Sequence, residues 1–221
     1  MGQDDTKAFR DKLRENSSLA IINDADGYTN VRDGKSSQSN IIDKIYKNEL
    51  FYFHPEAGEN WLIVNKFWNV YGYVHRSRIQ SIETLTTDSK ISLIRDIFKK
   101  EQSFIKSRKA GEQTSEEWIS HHEKKYDPIL EITEELICQT KNEELLKLLL
   151  TNMKLDTGSA DEAPMWALGA IYVCNPDWTI KQIKLTQSTS LKVELEFGFE
   201  NVTYNQKPDN YEELKQMINE L

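Results

Sequence analysis

The chain has 221 residues, of which 38% are hydrophobic and 29% charged, and its formal net charge is −8. This length fits one large domain or two small ones. The acidic balance argues against a nucleic-acid-binding protein, because binding phosphates needs clustered lysine and arginine. No stretch approaches the roughly 18 uninterrupted apolar residues that a membrane-spanning helix needs. We therefore expect no nucleic-acid partner and no membrane span.

The first residues, 1–17, are predicted to be a lead-in segment ahead of the first domain. They begin Met-Gly-Gln-Asp-Asp and contain no basic stretch followed by an apolar one. A secretion signal has both of these regions, so none is expected here. The protein is then either cytoplasmic, or periplasmic or secreted if a signal peptide has been removed.

Residues 18–84 contain short apolar runs that are rich in β-branched and aromatic side chains. Turn-forming clusters, such as the one around Asp26-Gly27, separate these runs. Strands of this length and spacing are typical of a small β-barrel. The predicted strands cover Leu19–Ile22, Thr29–Arg32, Ile41–Tyr46, Glu49–Phe53, Trp61–Lys66 and Tyr71–His75.

Residues 85–221 change to helical periodicity, beginning with the apolar stripe of Ile91, Ile94, Ile97 and Phe98. Asp127-Pro128 reads as a cap followed by a first-turn proline and so predicts the start of a new helix. The pattern predicts about seven helices, arranged as a bundle or a short α-solenoid. The fold class is therefore a multidomain all-β plus all-α protein, with a barrel over residues 18–84 and an acidic helical domain over residues 85–221.

Four segments of residues 18–82 resemble the bacterial SH3 domain family. The string Asp26-Gly27-Tyr28-Thr29-Asn30-Val31-Arg32 is similar to its opening Asp-Gly-x-x-Asn-Val-Arg signature. Ile41–Lys47 is similar to the next strand, Asn60–Val64 to the Trp-x-x-Val strand and Tyr71–His75 to the closing Gly-Tyr-Val segment. The resemblance implies an SH3-like barrel. This chain departs from the pattern by the longer insertion Lys66-Phe67-Trp68-Asn69-Val70.

Alternation along the predicted strands suggests an aromatic shelf on one side of this barrel. Val31 is expected to face the core, so Asn30 and Arg32 would face outward together. Gly72 between two tyrosines indicates a bulge or a close approach of two backbone segments. A shelf of this kind binds extended peptides, although Trp61 and Tyr73 could instead belong to the core. The predicted ligand-binding residues are Tyr28, Asn30, Arg32, Trp61, Tyr73 and His75.

The sequence contains no motif typical of a catalytic or metal-binding site. Cys138 and Cys174 lie in apolar stretches and are expected to be buried free thiols, with one disulfide as the alternative. Adjacent residues on an α-helix point about 100° apart, so His121 and His122 are expected to have solvated or capping roles rather than to bind zinc. No catalytic residue, metal site or cofactor is predicted.

The acidity is concentrated in the helical part. Residues 1–84 carry 11 basic and 12 acidic side chains, whereas residues 85–221 carry 17 and 24, a net charge of −7. The excess indicates either solvated helix faces or a surface for a basic partner. The leading hypothesis is a non-enzymatic protein of the cell envelope that binds an extended peptide, peptidoglycan fragment or protein partner. The alternative is an intracellular inhibitor or immunity-type protein that binds a basic partner, and a hydrolase using Cys174 or His122 is a third hypothesis.

Overall fold

The structure is a computed structural model that describes residues 16–66, 70–108, 114–155 and 161–221. Most of the predicted lead-in segment and residues 67–69 of the predicted insertion lie outside the described residues. The chain divides into two compact units. The first runs to Leu93 and also takes in Glu123–Lys125, and the second contains the remainder.

The first unit contains a seven-stranded sheet in which every pair of neighbours is antiparallel. The strand order is β3-β2-β6-β5-β4-β1-β7, and the sheet curls into a half-barrel. All six predicted strands are present, and β7 had not been predicted. The strands are β1 (Ser18–Ile22), β2 (Tyr28–Arg32), β3 (Ile41–Tyr46), β4 (Phe51–Phe53), β5 (Trp61–Lys66), β6 (Val70–His75) and β7 (Ile79–Ser81).

Alternating side chains build the core of this unit. Val31 in β2, Leu62 and Val64 in β5 and Val74 in β6 point to the concave side and are buried. Because successive strand residues face opposite sides, their neighbours in sequence lie on the outer side, where Ile63 and Tyr71 form a second buried cluster with Tyr73 packed against it. The buried cluster consists of Ala20, Ile22, Val31, Ile45, Phe51, Phe53, Leu62, Val64 and Val74.

Two glycines in the first unit occupy positions that a larger residue would strain. Gly27 has a φ of 77°, a left-handed conformation that glycine adopts without steric cost, and it forms the turn before β2. At Gly72 a Cβ atom would lie 2.6 Å from the carbonyl oxygen of Arg32 and 2.6 Å from a methyl group of Val31. The close approach predicted for Gly72 is therefore confirmed.

The second unit is helical, which confirms the prediction of a β domain followed by a helical domain. Eight α-helices are described. A π-helical turn (His122–Tyr126) joins the second to the third without a break, so the described residues contain seven separate helical segments. The α-helices are α1 (Thr87–Ser107), α2 (Glu116–His121), α3 (Asp127–Thr140), α4 (Glu143–Leu155), α5 (Ala163–Cys174), α6 (Pro176–Thr186), α7 (Ser190–Val202) and α8 (Tyr211–Asn219).

The cysteines correct one expectation. Cys138, in the last turn of α3, and Cys174, at the end of α5, form a disulfide. Cys138 is half-buried and Cys174 is exposed, so neither is the buried free thiol that the apolar surroundings predicted. The prediction was wrong because apolar neighbours in sequence do not show where a residue at the end of a helix points, or which helix packs beside it.

Glu134 on α3 gives the helical unit a pH dependence. Burial raises its pKa to about 7, and the carboxylates of Glu131 and Glu135 add to the rise. The folded chain therefore holds a proton that the unfolded chain has released, so stability falls as pH rises from about 4.5 to about 7. We compare the change in the free energy of unfolding that Glu134→Gln causes at two pH values. This change is expected to be about 1 kcal/mol more stabilising at pH 8 than at pH 5.

Urea unfolding of both proteins at pH 5 and pH 8 measures this effect. The matched control is Glu212→Gln, which removes the carboxylate of an exposed glutamate on α8. Its effect on the free energy of unfolding should be the same at both pH values. An equal effect of Glu134→Gln at the two pH values would contradict the prediction.

Candidate ligand-binding face and a histidine–carboxylate cluster

Four of the six predicted binding residues meet on the outer side of the half-barrel. Trp61 in β5 lies directly opposite His75 in β6, and Tyr73 lies opposite Arg32 in β2. Residues that are direct partners in neighbouring strands point to the same side of the sheet. We call the surface formed by Arg32, Trp61, Tyr73 and His75 the outer face.

Contacts between the outer-face side chains hold the rings in defined positions. The Trp61 and His75 rings meet edge to face with centroids 5.3 Å apart. His75 Nδ1 lies 2.8 Å from the hydroxyl of Ser77 and caps the short 3₁₀ helix Arg76–Arg78. Lys35 Nζ lies 5.9 Å from the centre of the Tyr73 ring. All of the outer-face residues are half-buried, so part of each side chain is open to solvent.

Arg32 has a structural role as well. Its Nη1 donates a hydrogen bond of 2.6 Å to the carbonyl oxygen of Ser39 and so holds the loop between β2 and β3. Because a guanidinium group has five N–H donors in a fixed fork, one such bond leaves others directed elsewhere. The residue therefore fixes the loop beside the outer face while also bringing positive charge to it.

Tyr28 and Asn30 lie on the same side of β2 as Arg32. Their cross-strand partners, however, are on the edge strand β3. Tyr28 pairs with Tyr46, their rings 6.3 Å apart, and Lys44 Nζ lies 4.2 Å from the Tyr28 ring centre. Asn30 lies opposite Lys44, and its Oδ1 is shielded from solvent with no hydrogen-bond partner among the described residues. The structure therefore groups these two residues with β3 rather than with Trp61.

A separate cleft of about 550 Å³ opens in the same unit. It is lined in part by Phe53, Leu62 and Ile79, which belong to or pack against the core on the concave side, and by Arg76. Arg76 donates a hydrogen bond to the carbonyl oxygen of Glu56 across it. The cleft offers a ligand a second location, which an experiment can distinguish from the outer face.

The helical unit contains a cluster that the sequence analysis missed. His121 is buried rather than solvated, and its Nε2 lies 3.2 Å from the carbonyl oxygen of Ile97 and 3.6 Å from Glu101 Oε2. His122 Nδ1 lies 3.0 Å from the other oxygen of Glu101. Both histidines thus face one buried carboxylate on α1, which corrects the expectation of solvated or capping roles.

The other nitrogen of His122 faces two aspartates. Nε2 lies 3.1 Å from Asp127 Oδ1 and 3.2 Å from Asp161 Oδ2. Burial lowers the pKa of His122, but the close contacts with the carboxylates of Asp127, Asp161 and Glu101 outweigh it and raise the pKa to about 12. In this arrangement the imidazole carries a positive charge among three carboxylates. We call Glu101, His122, Asp127 and Asp161 the histidine–carboxylate cluster.

The π-helical turn explains why residues this far apart in sequence meet. In an α-helix, residues five positions apart point about 140° apart. Between His122 and Asp127 the helix widens, and the Asp127 N–H donates to the carbonyl oxygen of His122. That i→i+5 bond defines a π turn, a feature that often occurs at functional sites. It brings the two side chains to one side of the helix.

Pro128 is the sequence signal that could have indicated this turn. Proline lacks the N–H that would bond to the carbonyl oxygen four residues earlier. That oxygen, on Lys124, instead accepts a hydrogen bond of 3.1 Å from Leu50 N. The predicted helix start with a first-turn proline is confirmed, since α3 begins at Asp127, but Asp127 is itself helical and does not cap α3, so its predicted capping role was wrong. A proline inside a helical pattern is equally compatible with a new helix or a widened turn.

Comparisons with known proteins give no relative: no protein-family model, curated protein or solved structure matches the chain. None of the described helices is both long and apolar enough to cross a membrane, as expected from the sequence. The outer face and the histidine–carboxylate cluster therefore provide the grounds for a functional proposal.

Proposed function

We propose that the protein is a non-enzymatic binding protein of the cell envelope. Its first unit acts as a bacterial SH3-like barrel that binds an extended, cell-wall-type peptide, and its helical unit docks a protein partner. The observation that supports this proposal is the grouping of Arg32, Trp61, Tyr73 and His75 on three neighbouring strands. Aromatic rings next to hydrogen-bond donors suit extended chains, whose backbone offers carbonyl groups along its whole length.

The chemistry of the outer face favours a ligand that carries carboxylates. Arg32 brings positive charge beside Tyr73, whereas the charge of nearby Lys35 is already paired with Glu59 Oε2 at 2.9 Å. The edge-to-face contact with His75 holds the Trp61 ring in one orientation, which lowers the entropy lost when a ligand stacks on it. A peptide with acidic groups would therefore gain both stacking and charge-assisted hydrogen bonds.

The disulfide supports a location outside the cytoplasm. Disulfides persist in oxidising compartments such as the periplasm and are rare where thiols are kept reduced. The bond between Cys138 and Cys174 thus favours a periplasmic or secreted protein over the intracellular inhibitor. The net charge of −7 on residues 85–221 would suit either an inhibitor of a basic protein or a docking surface for a basic envelope partner.

Titration of the ¹⁵N-labelled 221-residue chain with soluble peptidoglycan fragments tests the binding proposal. We expect chemical-shift changes at the Trp61 indole and at the backbone amides of Tyr73 and His75. Trp61→Ala should weaken binding at least about tenfold, because a central aromatic residue commonly provides this much affinity. The matched control is Trp166→Ala, which removes a tryptophan that is 45% exposed in the helical unit and should leave binding unchanged.

Two results would contradict the proposal. Equal loss of binding in Trp61→Ala and Trp166→Ala would show that the outer face is not the site. Shift changes confined to Phe53, Leu62 and Arg76 would place the ligand in the cleft instead. Far-UV circular dichroism of each variant separates a loss of binding from a loss of folding.

A further inference from the structure

We propose that His122, Asp127 and Asp161 form a binding site for a first-row divalent metal ion such as Zn²⁺. The three side chains come from the π-helical turn, the start of α3 and the residues just before α5. Their ligand atoms all lie within 4.8 Å of one another. This site belongs to the helical unit, and the inference is independent of the binding function proposed for the outer face.

The spacing of the donor atoms fits a metal. Bonds of about 2.0–2.2 Å from zinc to nitrogen and oxygen place neighbouring ligand atoms about 3.0–3.5 Å apart in octahedral or tetrahedral geometry. His122 Nε2 lies 3.1 Å from Asp127 Oδ1 and 3.2 Å from Asp161 Oδ2. A cation could therefore take the place of the proton that His122 Nε2 shares with the two aspartates.

Glu101 orients the imidazole as metal sites require. A histidine that binds a metal through one nitrogen commonly donates its other N–H to a carboxylate, which fixes the ring and its tautomer. Glu101 Oε1 lies 3.0 Å from His122 Nδ1 and accepts a hydrogen bond of 2.6 Å from Trp118 Nε1. Glu101 is only 1% exposed, so this support is rigid and leaves Nε2 directed at the aspartates.

Two carboxylate oxygens in the histidine–carboxylate cluster, one of Asp127 and one of Glu101, are incompletely satisfied by the described residues. Asp127 Oδ1 is shielded from solvent and has no hydrogen bond of good geometry among the described residues, although it faces His122 Nε2. The buried Glu101 Oε2 has none there either, and its neighbour is His121 at 3.6 Å. Asp161 uses Oδ1 to accept from Ala163 N and turns Oδ2 towards His122. The shielded Asp127 oxygen needs a further partner, and a bound cation would supply one.

Charge and donor type indicate which class of ion fits. Glu101, Asp127 and Asp161 bring three negative charges to the surroundings of His122, and a divalent cation would balance two of them. Two carboxylate oxygens and one imidazole nitrogen suit Zn²⁺, Mn²⁺ or Fe²⁺ better than soft ions such as Cu⁺. Three protein ligands leave further coordination positions for water, since the side chains of all three are partly open to solvent.

Calorimetric titration of the untagged, EDTA-treated 221-residue chain with ZnCl₂ and MnCl₂ tests this site. We expect saturation at one ion per chain at micromolar concentration, together with a rise in melting temperature. Asp127→Asn combined with Asp161→Asn should abolish binding, and Glu101→Gln should weaken it about 10–100-fold. The matched control is Asp209→Asn, an exposed aspartate outside the cluster, which should bind as the unaltered chain does.

X-ray absorption of the zinc-loaded protein gives a readout that does not depend on any variant folding. We expect one imidazole nitrogen and otherwise oxygen donors at about 2.0–2.2 Å. Absence of saturation by either ion at millimolar concentration would overturn the proposal. Unchanged affinity in the double aspartate variant, or sulfur donors in the absorption spectrum, would overturn it equally. The cluster would then be an ion-paired network around His122 alone.

Discussion

Replacing Gly198 by alanine is expected to lower the free energy of unfolding by about 3 kcal/mol. Gly198 on α7 crosses α5 at Gly169, and the two backbones touch at this point. A Cβ at Gly198 would lie 1.9 Å from the carbonyl oxygen of Met165, and one at Gly169 would lie 2.3 Å from the carbonyl carbon of Gly198. These neighbours are backbone atoms and cannot move aside by changing rotamer, so the helices must separate.

Local and tertiary effects have opposite signs at this position. Within an isolated helix, alanine is favoured over glycine by about 1 kcal/mol. At the crossing, the loss of close packing between α5 and α7 exceeds that gain, because packed interiors tolerate added atoms poorly. The sign of the change in stability therefore tells which effect dominates.

Urea unfolding followed by far-UV circular dichroism measures this change. Val193→Ala is the matched control, because Val193 lies on the same helix and is 66% exposed. Its effect should stay within about 0.5 kcal/mol. A higher unfolding midpoint for Gly198→Ala than for the unaltered chain would contradict the close crossing of the two helices.

The strands of the first unit could be predicted because their pattern is local. Alternation in β2 places Val31 inward, and therefore Asn30 and Arg32 on the other side, whatever strand lies beside it. The prediction that Gly72 meets another backbone segment also follows from its immediate neighbours. What could not be predicted was the register, which brings Trp61 opposite His75 but leaves Tyr28 with Tyr46.

The buried position of Lys66 could not be predicted either, because it also depends on which strands are neighbours. It ends β5 on the inward side, where its Nζ lies 3.2 Å from Glu49 and 3.3 Å from Asp43. Lys66 and Glu49 are both buried. A lysine is ordinarily exposed, and only the positions of β3 and the β3–β4 connection show that this one has two carboxylate partners. Buried ionic contacts depend on tertiary packing and leave little trace in the sequence.

The histidine–carboxylate cluster was missed for a related reason. Its members come from α1, the π turn, α3 and the residues before α5, and no spacing rule for a regular helix joins them. A regular helix would direct His122 and Asp127 about 140° apart, whereas the widened turn brings them to a common side. At a backbone irregularity of this kind, regular helical periodicity predicts the wrong direction for the side chains.

Removing the disulfide is expected to cost about 3–4 kcal/mol of stability. Cys138 and Cys174 are 36 residues apart, and closing a loop of this size restricts the unfolded chain by about 3.8 kcal/mol in the chain-entropy description. The effect should appear in Cys138→Ser combined with Cys174→Ser, which removes the bond and leaves no unpaired thiol. Urea unfolding of the double variant and of the unaltered protein measures it.

A reductant provides the matched control for this variant. Dithiothreitol should lower the stability of the unaltered protein to that of the double serine variant and should leave the variant unchanged. Alkylation of both cysteines in the native, air-oxidised protein, detected as an added mass, would contradict the bond. The stability lost on reduction is also relevant to the cellular location of the protein. A helical unit that loses this much stability on reduction is poorly suited to a reducing cytoplasm. Confirmation would therefore strengthen the envelope proposal, because a stability that depends on oxidation is useful only where the bond persists.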